Sequence, residues 1–157
     1  MKSQKKIWAL LILAVILMVV LSGCGGTVSE ETKVENVITK FFQALSDEDW
    51  NKARSCCVYN SLEYNSVTEM EEQWNNIYFG GSGVGVELDL DFVIDNIDPI
   101  IVTGNHAQAH VYYSAILLLL YEGESHWEWE ELLNGDWWFY LQKVGNDWKI
   151  YNDDEGV

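Results

Sequence analysis

The hydrophobic period of this chain changes from helical to strand-like at a glycine-rich segment, residues 80–85. Before this segment, apolar residues recur three and four positions apart, which is the spacing of one face of an α-helix. After it, apolar residues alternate with acidic ones, as in a strand with one face buried. Helices followed by strands predict an α+β fold in which the helices pack on one face of a mostly antiparallel sheet.

Three short polar clusters predict where the helices begin. Thr32-Lys33-Val34-Glu35 reads as a capping box, and so does Ser66-Val67-Thr68-Glu69, while Ser46-Asp47-Glu48-Asp49 is a cap-like cluster between them. The apolar face predicted for the first helix consists of Val34, Val37, Ile38, Phe41, Phe42 and Leu45. The second helix should bury Trp50, Ala53 and Cys57, and the third Met70, Trp74 and Ile77.

About five strands are expected after residue 85. Asp98-Pro99 predicts a break between the first two strands, and the second is long enough for a bulge. Asn134-Gly135 is a strong two-residue turn signal and predicts a hairpin, while Gly145-Asn146-Asp147 predicts the last turn. The predicted strands cover residues 86–92, 105–120, 125–133, 137–144 and 148–151.

The N-terminus has the form of an export signal. Lys2, Lys5 and Lys6 precede an apolar run over residues 7–21, which is shorter than the roughly 20 residues that span a bilayer. Leu21-Ser22-Gly23-Cys24 follows, and this motif resembles the lipobox of prokaryotic lipoproteins. The resemblance implies cleavage before Cys24, a diacylglyceryl group on its sulfur, and a protein held at the outer face of the cytoplasmic membrane. The alternative is an uncleaved N-terminal anchor helix.

The acidic character of the chain excludes one class of partner. Loss of the leader would remove three lysines, leaving six basic and 25 acidic residues and a formal net charge of −19. Such a chain repels nucleic-acid phosphates, so we expect no nucleic-acid binding. It should also repel anionic headgroups, so that the domain stands off the membrane. A cationic small molecule or a basic protein would be attracted, although solubility alone is the simpler explanation of the charge.

Two segments together resemble a known superfamily. Residues 37–45, Val-Ile-Thr-Lys-Phe-Phe-Gln-Ala-Leu, and residues 49–53, Asp-Trp-Asn-Lys-Ala, are similar to the first helices of NTF2-like (SnoaL-like, cystatin-like cone) proteins. Residues 139–151 resemble the closing hairpin of that superfamily. The resemblance spans about residues 31–153 and implies a curved sheet around a long helix, with a cone-shaped pocket. Some members catalyse isomerisation, dehydration or cyclisation, and many others bind a ligand or support protein association.

The lipobox motif and the superfamily resemblance together divide the chain into four parts. These are a signal peptide at residues 1–23, a lipidated tether at 24–30, an NTF2-like domain at 31–153 and an acidic tail at 154–157. The resemblance is one of pattern, so it carries no catalytic residue over to this chain. We predict no metal and no cofactor.

Two histidines are the candidates for pocket chemistry. His106 and His110 share a face of one strand, about 13 Å apart, which is too far for a single zinc ion. Either histidine, beside Tyr112 or Tyr140, could act as a base in a cone pocket. These four are the candidate pocket residues, and the alternative is that the histidines are exposed or satisfied by neighbours.

Acidic residues and cysteines have simpler interpretations. Carboxylates at alternate positions of a strand lie about 6–7 Å apart, which predicts a solvated face rather than a calcium site. The residues concerned are Glu87, Asp89, Asp91, Glu128, Glu130 and Glu131. Cys56 and Cys57 are adjacent, so we expect two buried free thiols rather than a disulfide.

Aromatic residues are concentrated near the predicted hairpin. Strand alternation divides them between both faces of the sheet, so the face away from the helices needs its own cover. A sheet-to-sheet homodimer would supply that cover, and carbohydrate stacking or core packing are the alternatives. The residues concerned are Trp127, Trp129, Trp137, Trp138, Phe139 and Tyr140. The resulting hypotheses are a non-enzymatic ligand- or partner-binding lipoprotein, an isomerase, dehydratase or cyclase, and a dimeric envelope scaffold.

The lipid anchor leads to the first prediction. Cys24→Ala removes the sulfur that would carry the diacylglyceryl group, and we expect the protein to leave the membrane fraction when cells are fractionated. Cys56→Ala is the control and should stay in the membrane fraction. A Cys24→Ala protein that remains membrane-bound would rule out this anchor.

Overall fold

The computed structural model describes residues 28–79, 86–121 and 128–152, with side chains for all of these except 77–79, 86–88, 119–121 and 128–133. The predicted signal peptide, Cys24, the glycine-rich segment 80–85, Trp127 and the acidic tail lie outside the described residues. Among the described helices, none is long and apolar enough to cross a membrane.

Three helices precede the sheet in the described chain. They are α1 at Glu30–Ser46, α2 at Trp50–Cys56 and α3 at Leu62–Phe79. The predicted apolar faces are confirmed for α1 and α2, because the named side chains are buried, apart from Val37, which is half-buried. In α3, Trp74 is buried and Met70 is half-buried.

Two helix starts differ from the prediction. Ser29, not Thr32, caps α1, and its side chain accepts a hydrogen bond from the Thr32 backbone N–H. Likewise Ser61, not Ser66, caps α3 through a 3.2 Å hydrogen bond from the Tyr64 N–H. In both cases a serine a few residues upstream satisfies the exposed N–H groups of the first turn, so the helix starts earlier. The predicted cap of α2 is confirmed, since Asp49 accepts from the Lys52 N–H.

Four antiparallel strands form one sheet in the order β1-β2-β3-β4 within the described residues, against about five expected. The strands are β1 at Val86–Thr103, β2 at His106–Tyr121, β3 at Glu128–Val144 and β4 at Asp147–Ile150. The turn between β3 and β4 is as predicted, with Gly145 at a φ of 67°. The α+β class and the helices packed against a curled sheet are confirmed.

The core lies between α1 and one face of the sheet, which we call the inner face. This face carries the buried Ala107, Ala109 and Val111 of β2 and the buried Phe139 and Leu141 of β3. Small side chains on β2 let the large residues of α1 approach the sheet closely. Residues that alternate with these, beginning with His106, Gln108 and His110, form the outer face.

The predicted hairpin at Asn134-Gly135 is wrong, because both residues lie inside the continuous strand β3. Gly135 pairs with Tyr113, and a Cβ on Gly135 would lie 2.7 Å from the Tyr113 ring. The glycine is therefore required by a ring that packs across the strand, not by a turn.

The predicted break at Asp98-Pro99 is also wrong, since β1 continues through it to Thr103. The pairing of β1 with β2 shifts between Ile97 and Ile100, so the proline lies in an irregularity of an edge strand. A bulge is expected in β2, but the structure has the bulges in the two neighbouring strands. At each shift in pairing, the additional residue belongs to β1 or to β3 and not to β2. Such bulges bend and twist a strand, which helps the sheet curve around α1.

The contact between Gly135 and Tyr113 gives the second prediction. Gly135→Ala should destabilise the soluble domain, beginning at Thr27, by about 1–3 kcal/mol, because the new methyl group displaces a packed ring. In a Tyr113→Ala background the same change should be neutral or slightly stabilising. Urea denaturation of wild type, the two single variants and the double variant measures these differences. An equal cost of Gly135→Ala in both backgrounds would show that the Tyr113 ring does not require the glycine.

Candidate active and binding cavity

A cavity of about 290 Å³ lies between α1, α3 and the inner face of the sheet. Its size is at the lower end of the range for small-molecule sites. Three strands and two helices each contribute to the wall. The lining residues are Phe41, Phe42, Leu45, Glu63, Met70, Phe92, Tyr113, Trp137 and Phe139.

Aromatic rings form most of the described wall. Phe42 is central, with ring centroids 5.5 Å from Phe92, 5.3 Å from Tyr113 and 5.7 Å from Phe139. The pairs with Phe92 and Phe139 are edge-to-face and the pair with Tyr113 is tilted by 42°, and such contacts stabilise the packing of the rings. Trp137 lies at the margin of the cavity, since 57% of its surface is exposed.

Glu63 supplies the one carboxyl group among the described lining residues. It sits in the first turn of α3, and one carboxylate oxygen accepts a 2.7 Å hydrogen bond from the Asn152 side-chain amide. Asn152 is buried and also accepts from the Tyr140 backbone N–H at 2.8 Å. Asn152, two residues after the end of β4, thus ties the carboxyl group to the edge of β3 and fixes its position.

Burial raises the pKa of Glu63, and the hydrogen bond from Asn152 opposes this only in part. A carboxyl group in apolar surroundings can hold a proton, release it, or pair with a cationic ligand group. Tyr113 adds a hydroxyl to the same cavity and hydrogen-bonds to no other described residue. The cavity therefore combines an apolar wall with one carboxyl and one phenol.

The four candidate pocket residues lie elsewhere. His106, His110 and Tyr112 project from the outer face of β2, and Tyr140 projects from the same face of β3. On β2 the inner positions are the odd-numbered residues from Ala107 to Tyr113, since their small or apolar side chains face α1. None of the four lines the inner cavity.

The outer face has its own depression, near the free edge of β3. His110 stacks on Trp138 with a centroid separation of 4.7 Å and an interplanar angle of 3°. Its Nε2 lies 3.9 Å from a carboxylate oxygen of Asp136, and Tyr140 lines the same depression. His106 lines a separate depression with Tyr59 and Tyr151, so the structure does not bring the two histidines into one site.

The acidic residues and cysteines lie as expected where they are described. Asp89 and Asp91 are exposed, and no group of three metal-binding side chains occurs within the described ranges. The structure does not describe the side chains of Glu87, Glu128, Glu130 and Glu131. Cys56 and Cys57 are free and buried, and burial raises the pKa of both thiols, so neither is a ready nucleophile.

Solved structures with the same architecture identify the fold. A putative dehydratase from the NTF2-like family of Streptomyces avermitilis is 13% identical with a TM-score of 0.53, over 76% of this chain and 90% of that one. An NTF2-like protein of unknown function from Shewanella oneidensis is 10% identical with a TM-score of 0.50, over 76% and 93%. The fold is NTF2-like.

A longer protein contains a similar domain. Bd1075 of Bdellovibrio bacteriovorus is 12% identical with a TM-score of 0.53 over 76% of this chain, which spans only 37% of the length of that protein. No protein-family model and no curated protein sequence matches this chain. At these identities the comparisons establish the NTF2-like fold alone.

Sequence reasoning missed the two polar residues of the NTF2-like cavity. Glu63 precedes the helix start that was predicted at Ser66, so it was not placed on a helix. The recognisable signal was Ser61, two residues upstream, which caps α3. Tyr113 could have been found from Ala107, Ala109 and Val111, because these small and apolar residues mark the inward positions of β2.

The raised pKa of Glu63 gives the third prediction. The folded domain binds a proton at Glu63 more tightly than the unfolded chain does, so ionisation of Glu63 lowers the free energy of unfolding as the pH rises above 4.5. Glu63→Gln is neutral at every pH and keeps an oxygen for Asn152. We therefore expect Glu63→Gln to be more stable than wild type at pH 7.5, with a difference that shrinks towards pH 4.

Urea denaturation of the soluble domain between pH 4 and pH 7.5 measures this difference. Glu69→Gln is the matched control, because Glu69 is exposed on the same helix. Parallel pH profiles for the two variants would show that the environment of Glu63 is not apolar in solution.

Proposed function

We propose that this protein is a lipid-anchored extracytoplasmic lipoprotein whose NTF2-like domain binds a small ligand in the inner cavity. The observation that carries the proposal is the position of Glu63, a carboxyl group in a cavity lined mainly by aromatic rings. An apolar core gains nothing from a half-buried carboxyl, whereas a binding site uses a few placed polar groups to orient its ligand.

The chemistry of the wall defines the ligand class. Phe42, Phe92 and Phe139 offer apolar surface and ring faces, which favour an aromatic or aliphatic molecule. A cationic amine would gain from both the carboxylate of Glu63 and the ring faces. The strongly acidic domain adds a long-range attraction for the same cation. We therefore propose a small, mostly apolar amine as the ligand.

The lipobox motif and its leader support the proposed location. With a diacylglyceryl group on Cys24, two acyl chains would hold the domain at the outer face of the cytoplasmic membrane. The ligand would then be met outside the cytoplasm.

The second candidate is an enzyme of the isomerase, dehydratase or cyclase type. Glu63 and Tyr113 favour it, because a carboxyl with a raised pKa can move a proton while a phenol stabilises developing charge. The solved structures that are similar include one described as a putative dehydratase. Turnover of the bound molecule, rather than its recovery intact, would distinguish this activity from binding.

A dimeric scaffold is the third candidate, and it is compatible with either of the others. Tyr112 and Trp138 are 39% and 38% exposed on the outer face, which is more aromatic surface than a solvated sheet needs. A second copy packed on this face would cover both residues. Such a homodimer would leave the inner cavity on the other side of the sheet.

The binding proposal gives the fourth prediction. Native mass spectrometry of the full chain, purified from the membranes of its own host, is expected to show a bound small molecule. Glu63→Gln should lose the added mass, because the ligand's cationic group loses its counter-charge. Glu69→Gln removes the same charge outside the cavity and should keep the added mass. An empty wild-type cavity, or an added mass that persists in Glu63→Gln, would contradict the proposal.

A further inference from the structure

The basic residues of this acidic domain come from only a few of its helices and strands. Six basic residues follow Cys24, and all belong to α1, α2, the end of β3 or β4. These residues are Lys33, Lys40, Lys52, Arg54, Lys143 and Lys149. A net charge of −19 therefore does not describe every surface of the molecule.

Three of these lysines line a groove of about 350 Å³ between α1, the end of α2 and the β3–β4 turn. Lys33 and Lys40 are seven residues apart on one face of α1, and Lys149 lies opposite them on β4. Asn36 and Asn146 add amide groups, and Asp147 is the one carboxylate in the described lining. The groove is thus basic and rich in hydrogen-bond donors.

Two lysines of this groove have no carboxylate partner among the described residues. Lys149 donates to the Ser55 backbone carbonyl, and Lys40 is exposed with no hydrogen bond or ion pair to a described residue. The other basic side chains are paired, as Arg54 is with Glu71. Unpaired ammonium groups in a groove are available to an external anion.

The start of α1 is fixed beside this groove. Glu30 accepts hydrogen bonds from Lys33 and Lys143, each at 2.7 Å, and from the Trp148 indole N–H at 2.8 Å. These partners lower the pKa of Glu30 to about 2, with Lys143 as the largest cause. The chain therefore enters the domain next to the β3–β4 turn, at one end of the groove.

The distance from the lipid attachment point is short. Five residue steps separate Cys24 from Ser29, the cap of α1, and a fully extended chain covers at most about 18 Å in that length. A diacylglyceryl group on Cys24 would thus keep the start of α1 close to the headgroup layer. The side of the domain nearest the membrane is then the side that carries the lysines.

We propose that the Lys33–Lys40–Lys149 groove rests on the phosphate groups of anionic lipids and orients the domain on the membrane. The proposal rests on the lipid anchor of the proposed function. It replaces the expectation that the whole domain is repelled, because in salt only charges within about a Debye length of the bilayer act strongly on it, and the groove brings three lysines into that layer. The inner cavity would then have one fixed direction relative to the bilayer.

Lysine acetylation tests this orientation. The full lipidated chain is reconstituted in vesicles of phosphatidylcholine alone, or with about 30% phosphatidylglycerol, and acetylation of each lysine is followed by mass spectrometry. We expect Lys40 and Lys149 to be acetylated several-fold more slowly on the anionic vesicles, relative to Lys52. This protection should disappear in about 0.5 M NaCl, because salt screens the contact.

Charge-reversal variants provide the matched controls. Lys40→Glu should abolish the protection of Lys149, whereas Lys52→Glu, outside the groove, should preserve it. Equal acetylation on both vesicle types would overturn the proposal. Protection of the same lysines by inorganic phosphate without anionic lipid would also overturn it, since the groove would then be a site for a soluble anion. Failure of the lipid anchor would be visible separately, as protein that does not associate with either vesicle.

Discussion

The structure depends on the packing of α1 against the inner face of a curved sheet. Phe41 and Phe42 of this helix meet Phe139 at centroid distances of 6.1 Å and 5.7 Å, while Ala107 and Ala109 leave room for them. Burial of these rings is the main source of stability in such a core. The same helix lines the cavity with Phe41, Phe42 and Leu45, so the core and the candidate site share one wall.

Two polar contacts fix the position of the carboxyl group in this cavity and of the start of α1. Asn152 joins the chain after β4 to Glu63 and to the Tyr140 N–H, so the carboxyl group is held by the edge of the sheet. At the opposite side, Glu30 joins the start of α1 to Lys143 and Trp148. The first contact positions the carboxyl group that would meet a ligand, and the second fixes the start of α1 beside the basic groove.

The fold could be predicted because the spacing of apolar residues along the sequence is periodic. The site could not be predicted, since only tertiary contacts bring its residues together. The helical face from Val34 to Leu45 needs only the 3.6-residue period, and it is confirmed. Gly135 has the local appearance of a turn, but the ring of Tyr113, 22 residues earlier, decides its role. Strand alternation predicts that a strand has two faces but not which of them meets the helices, and His110 and Tyr112 lie on the outer one.

We propose that the aromatic cavity beside Glu63 holds a cationic, mostly apolar ligand. The most direct measurement is a crystal structure of the protein purified from its own host without added ligand. We expect electron density for a ligand among Phe42, Phe92 and Phe139, with a nitrogen atom within hydrogen-bond distance of the Glu63 carboxylate. A cavity filled only by water, or a ligand bound instead on the outer face at Trp138, would contradict it.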